Sequence, residues 1–257
     1  MKFYLDPQLK PYFADDNQAF DQLMNLKGEC FRHQNGRLTQ RVSIAGKYYF
    51  IKQHHGVGWK EIFKNLSQLR LPVLGAKNEW QAIAKLKSLA IDVPIVVGYG
   101  ERGINPATRE SFILMEELSP SISLEDIAKQ WKAMPPSFML KTSLIKKVAH
   151  IARVLHEHGM NHRDFYICHF LQTDDHSKLF LIDLHRAQIR SQTPERWVIK
   201  DLAALYFSCN GIRLTKRDFY RFMKIYHNSS LRDMFTQEIS FWQKVASRGS
   251  NYRDHTQ

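Results

Sequence analysis

The sequence predicts an α+β fold with two lobes: a small N-terminal lobe built on an antiparallel sheet, and a larger, mostly helical C-terminal lobe. Two patterns support this prediction. Short strand-like segments bounded by turn residues fill much of the first hundred or so residues, whereas apolar residues at helical spacing dominate the second half. Because no linker longer than a loop interrupts the chain, we place the boundary just after Leu118, giving lobes of residues 1–118 and 119–257.

The composition indicates a folded intracellular protein. A length of 257 residues with 44% apolar residues is enough for one large domain or two lobes with substantial cores. Three widely spaced cysteines fit neither a disulfide framework nor a CxxC metal knuckle, which indicates a reducing, cytosolic compartment. The opening MKFYLDPQLKPYFADD lacks the apolar core of a secretory signal, and no apolar run approaches the roughly 20 residues that span a bilayer.

The net charge of +12 leaves several partners open. A basic chain can bind nucleic acid, an anionic membrane surface or a phosphorylated substrate, although solvated Lys and Arg side chains account for most of such a charge. The chain has no RNP-like aromatic sheet signature, no zinc finger and no low-complexity basic tail. We therefore expect no nucleic-acid partner.

The N-terminal elements begin with DDNQAFDQLMNLKG, which predicts a short helix with Asp15 or Asp16 as its N-cap. The segment ECFRHQNGRLTQRVSIAGKYYFIK follows, with a hairpin signal at Asn35-Gly36 and a second turn signal at AGK. Three short antiparallel strands are therefore predicted, the last of which ends on Lys52. Two more strands are predicted at VPIVVGYG and FILMEEL.

A helix is predicted over KNEWQAIAKLKSLAI, between the third and fourth strands. Glu79, Ile83, Leu86 and Ala90 are spaced so that they share one face of this helix. An acid within an apolar stripe needs a cation, because burying an unpaired carboxylate is costly. The bland alternative is that Glu79 is a first-turn acid that favours the helix N-terminus.

The C-terminal half contains three predicted helices and one buried strand. FMLKTSLIKKVAHIARVLHEHG carries a long apolar stripe and ends at Gly159; KLFLIDLHRAQI predicts a buried strand that leads into a polar step. KDLAALYFS predicts a helix with Asp201 as its N-cap, a residue that we also expect to tie down the loop at NHRDFYICHF. KRDFYRFMKIYH predicts a basic, amphipathic helix.

Asp164 and Asp183 are the strongest catalytic candidates. They are 19 residues apart, and each lies at the edge of an apolar segment, one after the long helix and one after the buried strand. Two carboxylates so placed suit phosphoryl transfer, in which one accepts the proton of the attacking hydroxyl and the other holds Mg²⁺ on the phosphates. Lys52 would supply a cation for the phosphates, and Glu79 would hold that lysine.

These four residues, in this order, resemble the protein-kinase set, so the predicted architecture is a two-lobed protein-kinase-like fold. YYFIK resembles the strand that carries the phosphate-binding lysine, NHRDFYICHF resembles the catalytic loop, and LIDLHR stands where D-F-G would be. The resemblance implies that the backbone of Glu116, Glu117 and Leu118 bonds adenine. The chain departs from the set in having no G-x-G-x-x-G, no A-P-E, and His169 where the second metal-binding asparagine would be.

Longer strings resemble a narrower family, the lipopolysaccharide core heptose(I) kinases of the WaaP/RfaP type. These strings are NHRDFYICHF, IDLHRAQIR, GVGWKEIFKNLSQLRLPVLGAKNEW, GERGINPATRESFI and KDLAALYFS, and the resemblance runs from about Leu26 to about Tyr226. It implies ATP-dependent phosphorylation of the first inner-core heptose of lipopolysaccharide, with Asp164 as the catalytic residue. It also implies a cytoplasmic protein, peripheral to the inner membrane, whose basic charge meets an acidic glycolipid and an anionic leaflet.

The resemblance implies the following roles. ATP sits between the lobes, Lys52 contacts the α and β phosphates, and Asp183, together with His169, binds Mg²⁺. A structural histidine is the alternative for His169. Independently of the resemblance, the positions of Arg163, Arg186, Arg190 and Arg196 around the two aspartates suggest that they bind acidic sugar groups, although a solvated basic face explains them equally well.

Several rivals stay open at this stage. The chain could be a kinase for a 3-deoxy-octulosonic acid unit or a protein side chain, or a non-catalytic, pseudokinase-like binder of acidic glycan or membrane. His162, Cys168, His169 and His185 raise zinc binding as a minor alternative, since their spacing fits no standard site. Lys60 and Lys64 could meet a membrane, but an amphipathic helix more often faces a core.

Overall fold

The computed structural model describes residues 1–13, 15–34, 36–67 and 72–252, with Leu231 described by its backbone alone. The chain divides into two compact units, which we call the sheet unit and the helical unit. The sheet unit comprises Met1–Lys85, Val93–Ser119 and Asp183–Arg186; the helical unit comprises Leu86–Asp92, Pro120–Ile182 and the chain from Ala187 onward. The division falls one residue after the predicted boundary at Leu118, and two short segments belong to the unit opposite the one predicted for them.

The sheet unit contains six antiparallel strands in the order β1-β5-β6-β4-β3-β2 and the helices that follow them in the chain. The strands are β1 (Lys2–Leu5), β2 (Glu29–Gln34), β3 (Arg37–Ile44), β4 (Lys47–His55), β5 (Val96–Arg102) and β6 (Glu110–Glu116). The helices are α1 (Asp16–Met24), α2 (Gly58–Ser67) and α3 (Lys77–Ser88), the last of which crosses into the helical unit.

The predicted hairpins form where turn residues adopt positive φ. Gly36, just before β3, has φ +71°, and the β3–β4 turn has φ +53° at Ala45 and +78° at Gly46. Positive φ at both central residues is the signature of the tight turn that matches strand twist. Asn35 lies outside the described residues, as does the 68–71 part of one family-like string. The strand predicted to end on Lys52 is β4, which runs on to His55.

Residues 1–13 and 15–25 fold with the sheet unit, a point on which the sequence was silent. β1 pairs antiparallel with β5 at the sheet edge, in the register Lys2 to Glu101. The N-cap of α1 is Asp15, whose carboxylate accepts hydrogen bonds from the N–H groups of Asn17 and Gln18. Phe20 and Leu23 of this helix are fully buried in the core of the sheet.

The helical unit is built from α4 to α9 with short two- and three-stranded pairings. Its helices are α4 (Leu124–Gln130), α5 (Phe138–Glu157), α6 (Glu195–Ser208), α7 (Lys216–His227), α8 (Leu231–Gln237) and α9 (Ile239–Asn251). Its strands are β7 (Ser121–Ser123), β8 (Met160–Asn161), β9 (Phe170–Thr173), β10 (Leu179–Leu181) and β11 (Gln188–Ile189). The long predicted stripe of α5 is buried from Leu144 to Leu155, and α5 packs on α7 as α6 packs on α9.

The structure corrects one prediction about a helix, and it forms α2 over the amphipathic segment that carries Lys60 and Lys64. Asp201 is not an N-cap: it lies in the middle of α6, which begins at Glu195 after the N-cap Pro194, and it is fully buried. Across the described residues, none of the helices combines the length and apolar content that a bilayer span requires.

Candidate active site

The centre of the sheet unit is an ion-pair cluster around Lys52. The Lys52 Nζ lies 2.6 Å from Glu79 Oε1 and 3.1 Å from Asp183 Oδ1. Glu79 comes from the first turn of α3 and is 1% exposed, so its carboxylate is paired as the buried stripe requires. Burial alone would lower the pKa of the Lys52 ammonium, but the charges of Glu79 and Asp183 outweigh it and raise that pKa. Lys52 therefore stays charged at neutral pH.

Asp183 is held in an uncommon backbone conformation. Its φ is +60°, which costs free energy for a residue other than glycine and points to a functional constraint. A 3-10 turn, Leu184–Arg186, follows it, and the turn brings His185 Nδ1 to 2.7 Å from Asp183 Oδ1. The same carboxylate oxygen of Asp183 thus contacts both Lys52 and His185, and these two contacts orient the carboxylate.

Two further residues of this cluster, Arg37 and His54, were missed by sequence reasoning. In the β3–β4 register, Arg37 pairs with His54 and Thr39 pairs with Lys52, so Arg37, His54 and Lys52 share one face of the sheet. Arg37 makes no ion pair in the described part of the chain. Burial lowers the pKa of Arg37, and the charges of Glu79 and Asp183 oppose that shift. The available signal was strand alternation, which places residues 52 and 54 on the same side.

His54 is a buried, neutral imidazole within this group of cations. It is 1% exposed, and neither ring nitrogen has a hydrogen-bond partner in the described structure. Burial, followed by the charges of Arg37 and Lys52, lowers the pKa of His54 to about 3. A buried polar group without a hydrogen-bond partner needs an explanation. An oxygen of a bound ligand would supply one, because it could accept a hydrogen bond from the His54 N–H beside the two cations.

The turn that precedes Arg37 is held by close backbone contacts. The N–H of His55 donates to the Gly36 carbonyl at 2.9 Å, and a Cβ added at Gly36 would lie 2.3 Å from the Gly56 carbonyl oxygen. A Cβ at Gly56 would in turn lie 2.5 Å from the Ala107 carbonyl oxygen. Only glycine fits at either position, so the backbone at Gly36 lies against that at Gly56 with no room for a side chain.

In the helical unit, Asp201 holds the loop that contains Asp164. The buried Asp201 carboxylate accepts hydrogen bonds from the backbone N–H of His162 at 2.5 Å and of Arg163 at 2.8 Å. Bonds between a carboxylate and backbone N–H groups are among the stronger hydrogen bonds. Arg163 has φ +75°, and this conformation turns the chain immediately before Asp164. The expectation that Asp201 ties down the loop matches these contacts, although its predicted place in the helix was wrong.

His169 braces the same loop from its other end. Its Nδ1 lies 2.7 Å from the Asp164 carbonyl oxygen, and since a carbonyl only accepts, Nδ1 carries the proton. In the neutral ring the lone pair therefore lies on Nε2. Imidazole is a poor match for Mg²⁺, which prefers oxygen ligands, so this contact favours the structural alternative for His169. His169 remains a predicted metal ligand without direct support.

Asp183 supplies the kind of ligand that Mg²⁺ takes in phosphoryl transfer, since one or two carboxylates with phosphate oxygens and waters complete such sites. The described residues contain no cluster of three His, Cys, Asp or Glu side chains suited to a metal ion. His162, Cys168, His169 and His185 are all described, so zinc, which needs three or four such ligands, finds no site among them.

The predicted basic residues of the helical unit gather around one aromatic ring. The charged centres of Arg163, Arg190, Arg196 and Lys200 lie 5.5, 5.8, 5.5 and 5.3 Å from the Trp197 ring centroid. Arg190 bonds the neutral amide oxygens of Asn161 and Gln188, so these bonds orient its guanidinium without cancelling its charge. Trp197 and Lys200 were not predicted, because α6 gave no sign of which face they occupy. Arg186, by contrast, belongs to the sheet unit.

The three residues of the predicted adenine-binding segment have different surroundings. The N–H of Glu116 donates to the Ile95 carbonyl at 2.9 Å, and the N–H of Glu117 donates to the Tyr48 carbonyl at 3.2 Å. The Glu117 carboxylate pairs with Arg41 at 2.7 Å. Glu117 therefore stabilises the sheet in this structure, and adenine bonding by this segment, including Leu118, stays a prediction.

The helical unit also contains a half-open apolar cavity of about 310 Å³. Its walls are side chains of α5, α6, α7 and α9, mainly Leu144, Val148, Leu205, Phe222, Trp242 and Val245. Cys209 also lines it, and burial raises the pKa of this thiol to about 12, so it stays protonated. Interiors are normally close-packed, so an apolar space of this size is a candidate ligand site.

In the sheet unit, Lys52 pairs with Glu79 of a helix and with Asp183 after a strand. In the helical unit, a buried carboxylate anchors the loop that carries Asp164. These residues define a kinase-like phosphotransferase. The comparisons with known proteins narrow the class. The chain belongs to the lipopolysaccharide kinase (Kdo/WaaP) family, whose model matches residues 21–226.

The chain is similar to several proteins of this family along nearly its whole length. It is 46% identical over 258 residues to the lipopolysaccharide core heptose(I) kinase WaaP of Escherichia coli, with 97% of each chain covered. It is 45% identical over 267 residues to the protein of that name from Pseudomonas aeruginosa, with 99% of each covered. A solved structure of WaaP in complex with acyl carrier protein is 37% identical, covers 98% of this chain and 99% of that one, and has a TM-score of 0.84. The protein-kinase-like α+β fold is thereby confirmed.

Proposed function

We propose that this chain is an ATP-dependent kinase that phosphorylates the first heptose of the lipopolysaccharide inner core. Relatives at 45–46% identity over nearly the full length carry the name of that activity, and this supports the acceptor. The observation that carries the chemistry is the Lys52 cluster, in which three segments far apart in the sequence bring one ammonium to Glu79 and Asp183. A pure binder of glycan has no need of this costly buried arrangement.

Each residue has a defined part in the proposed reaction. Lys52, fixed by Glu79, contacts the α and β phosphates of ATP. Asp183 would hold Mg²⁺, which when bound neutralises charge on the transferring phosphoryl group. Asp164 orients the heptose hydroxyl and takes its proton. Since phosphoryl transfer has a loose transition state, positioning and electrostatics supply most of the rate enhancement.

Arg37 and His54 answer how phosphate is held without a glycine-rich loop. We propose that the Arg37 guanidinium and the His54 N–H donate to phosphate oxygens beside Lys52. The close backbone contacts of Gly36 support this role, because Arg37 follows that residue directly. Guanidinium groups bind phosphate in two-point geometry, which replaces what backbone N–H groups do in the usual kinase loop.

The basic group around Trp197 is the proposed acceptor subsite. The inner core carries acidic sugars, and a carboxylate or phosphate would meet Arg190, Arg196 and Lys200 within reach of one ring. Arg163 lies next to Asp164 in the chain, so binding there would also place an acceptor near the catalytic loop. The rival acceptors, a 3-deoxy-octulosonic acid unit or a protein side chain, are distinguished by a panel of acceptors with labelled ATP.

We also propose acyl carrier protein as a partner. A relative 37% identical to this chain has been solved in complex with that protein. The apolar cavity of the helical unit suits the acyl chain that such a carrier presents, because it is lined by aliphatic and aromatic side chains. We expect acyl-loaded carrier to bind more tightly than unloaded carrier, and Val148→Trp, which fills the cavity, to remove that difference in a binding titration.

The test of the proposed activity is direct transfer. Purified protein is incubated with Mg-ATP and lipopolysaccharide stripped of core phosphate, and added phosphate is located by mass spectrometry. We expect phosphate on the first heptose, reduced at least 10³-fold in Asp164→Asn and in Asp183→Asn, both of which keep side-chain size. Exposed Asp233→Asn is the matched control. Wild-type turnover in Asp164→Asn would contradict the scheme, and transfer to another sugar would replace the acceptor.

A further inference from the structure

The helix α2 places its apolar side chains in solvent. Trp59, Phe63 and Leu66 are 49%, 62% and 47% exposed, while Ile62 is the buried member of this ten-residue helix. Trp59 and Phe63 stack on each other with ring centroids 5.7 Å apart. Because the three residues are spaced +4 and +3, they form one continuous stripe along the helix. A core-facing amphipathic helix has the opposite arrangement.

Two lysines flank this stripe. Lys60 and Lys64 each follow an aromatic residue by one position, about 100° round the helix, and both are exposed. Lys64 lies 3.6 Å from Glu61, so one acid offsets part of the charge. Long lysine side chains can keep their ammonium groups at a charged surface while the neighbouring apolar residues enter a less polar layer.

The start of α2 is hydrogen-bonded to a loop that carries a further exposed apolar residue. The N–H of Gly58 donates to the Ala107 carbonyl at 3.0 Å, which joins the helix to the turn that carries Ile104. Ile104 is 96% exposed, the highest value among the large apolar side chains of the described chain. An isolated exposed residue needs no explanation, but four large ones on connected elements indicate a contact surface.

We propose that Trp59, Phe63 and Leu66 of α2, flanked by Lys60 and Lys64, form a surface that docks onto an anionic lipid bilayer. A stripe of Trp, Phe and Leu beside lysines is the composition of helices that lie in the bilayer interface. The three side chains lie along one exposed face of a single helix, which suits insertion into a fluid lipid layer. The net charge of +12 adds attraction to anionic headgroups.

This inference rests on the proposed function in one respect: a lipid-anchored acceptor gives the enzyme a reason to sit on a membrane. The surface would orient the protein on the leaflet that holds its acceptor and raise the local acceptor concentration. A soluble acceptor, without its lipid anchor, would gain nothing from the surface. Membrane docking therefore predicts that variants of this surface lose activity on the lipid-anchored acceptor but keep it on the acceptor without lipid.

The experiment is a vesicle sedimentation assay with full-length protein. Vesicles contain either phosphatidylcholine alone or phosphatidylcholine with about 30% phosphatidylglycerol, an anionic lipid that attracts basic side chains. We expect binding to the anionic vesicles, at least tenfold weaker in Trp59→Ser/Phe63→Ser and in Lys60→Glu/Lys64→Glu. Phe31→Ser is the matched control, since Phe31 is 57% exposed on the sheet unit and lies outside α2. The emission of Trp59 should shift to the blue on binding, and Trp59→Phe should lose the shift but keep the binding.

Activity then separates this inference from the proposed function. Both double variants should retain wild-type Mg-ATP binding and unfolding midpoints, phosphorylate delipidated core at the wild-type rate, and lose at least tenfold on membrane-embedded lipopolysaccharide. Vesicle binding that is unchanged in both double variants, or absent in the wild type, would overturn the docking surface. A concentration-dependent dimer that Phe63→Ser dissociates, with vesicle binding unaltered, would also overturn it. Vesicle binding without any heptose phosphorylation would leave the surface standing and remove the proposed activity.

Discussion

The sheet unit and the helical unit hold their candidate carboxylates by different means. In the sheet unit, Asp183 is oriented by two side chains, because its Oδ1 contacts both the Lys52 ammonium and the His185 imidazole. In the helical unit, the loop before Asp164 is held by backbone N–H groups that donate to the buried Asp201. The first arrangement can rearrange when phosphates arrive to compete for Lys52. The second cannot rearrange without losing hydrogen bonds that have no water to replace them.

This difference explains what each unit contributes. Cations that already contact carboxylates can exchange those partners for phosphate at small cost, because one anion replaces another. A loop anchored through its backbone keeps its geometry whichever ligand is bound, which is what positioning of an attacking hydroxyl requires. The helical unit therefore supplies a loop of constant geometry, and the sheet unit supplies cations that can exchange carboxylate partners for phosphate.

The largest expected effect breaks the sheet-unit arrangement. Lys52→Met removes the phosphate cation and leaves the buried Glu79 carboxylate unpaired, so we expect a loss of 10²–10⁴ in kcat/KM and of about 3 kcal/mol in the free energy of unfolding. Glu79→Gln alone should cost about 10–100-fold in kcat/KM, since it acts only through the lysine. Single-turnover kinetics and urea unfolding measure the two quantities.

The double variant Lys52→Met/Glu79→Gln makes this test sharp. It removes the unpaired charge, so the free energy of unfolding should recover by at least about 1 kcal/mol relative to Lys52→Met. Activity should not recover, because the phosphate cation is still missing. If stability stayed as low as in the single variant, the Glu79 carboxylate would not be the source of the loss.

The second prediction breaks the helical-unit arrangement. Asp201→Asn keeps the size of the side chain but removes the charge that two backbone N–H groups share, so we expect a loss of about 2–3 kcal/mol in the free energy of unfolding. Turnover should fall while the KM for ATP stays near wild type, since the nucleotide contacts lie in the sheet unit. Glu195→Gln, on the exposed start of the same helix, is the control. Unchanged turnover would contradict the positioning role.

The sequence was most informative where a local pattern decides the structure. The hairpins, the buried Glu79 and the position of Asp164 after a long helix all follow from short-range rules for turns, helical spacing and burial. The Lys52–Glu79 pair was predicted for a physical reason, because a carboxylate on an apolar stripe needs a cation. The family resemblance then supplied the acceptor, which no spacing rule gives.

The features that the sequence did not predict depend on contacts between distant residues. Asp201 looked like an N-cap because its helix begins earlier than the polar step suggested, and Pro194 takes the N-cap position instead. Arg37 and His54 become neighbours only through strand register. The exposed stripe of α2 has the same apolar periodicity as a buried one, so only the fold reveals which side faces solvent. The sequence pattern predicts the helices and strands, whereas the contacts between them decide which residues act in the site or on the surface.

The third prediction concerns an ion pair in the helical unit that serves structure alone. Asp218 is the N3 residue of the capping box of α7, whose N-cap is Thr215; it is 2% exposed and pairs with Lys141 at 2.8 Å. Burial would raise the pKa of Asp218, but the bonds from Lys141 and Thr215 outweigh it and lower the pKa to about 2. Its folded pKa lies below its unfolded value, so this stabilisation is present above about pH 4 and lost as pH falls towards 2.

Asp218→Asn should therefore cost roughly 2 kcal/mol in the free energy of unfolding at pH 7, and the difference from wild type should shrink between pH 4 and pH 2. Urea titrations at several pH values measure it. Asp233→Asn, in the exposed first turn of α8, is the control and should cost well under half as much. Activity at pH 7 per folded molecule should not change, because Asp218 belongs to the packing of the helical unit. A pH-independent difference would contradict the assigned pKa shift.

The smallest expected effect sharpens the comparison within the sheet unit. Arg37→Gln keeps a polar side chain on β3 but removes the charge proposed to bind phosphate, so we expect about a tenfold loss in ATP affinity, near 1.4 kcal/mol. Adenosine affinity should not change, since adenosine has no phosphate to contact. Lys47→Gln at the exposed start of β4 is the matched control, because it alters the net charge equally and strand alternation places it on the face opposite Lys52. Equal losses in both variants would mean that ATP senses only the overall charge of the unit, whereas a loss confined to Arg37→Gln would mean that a fixed side chain does the work of the absent glycine-rich loop.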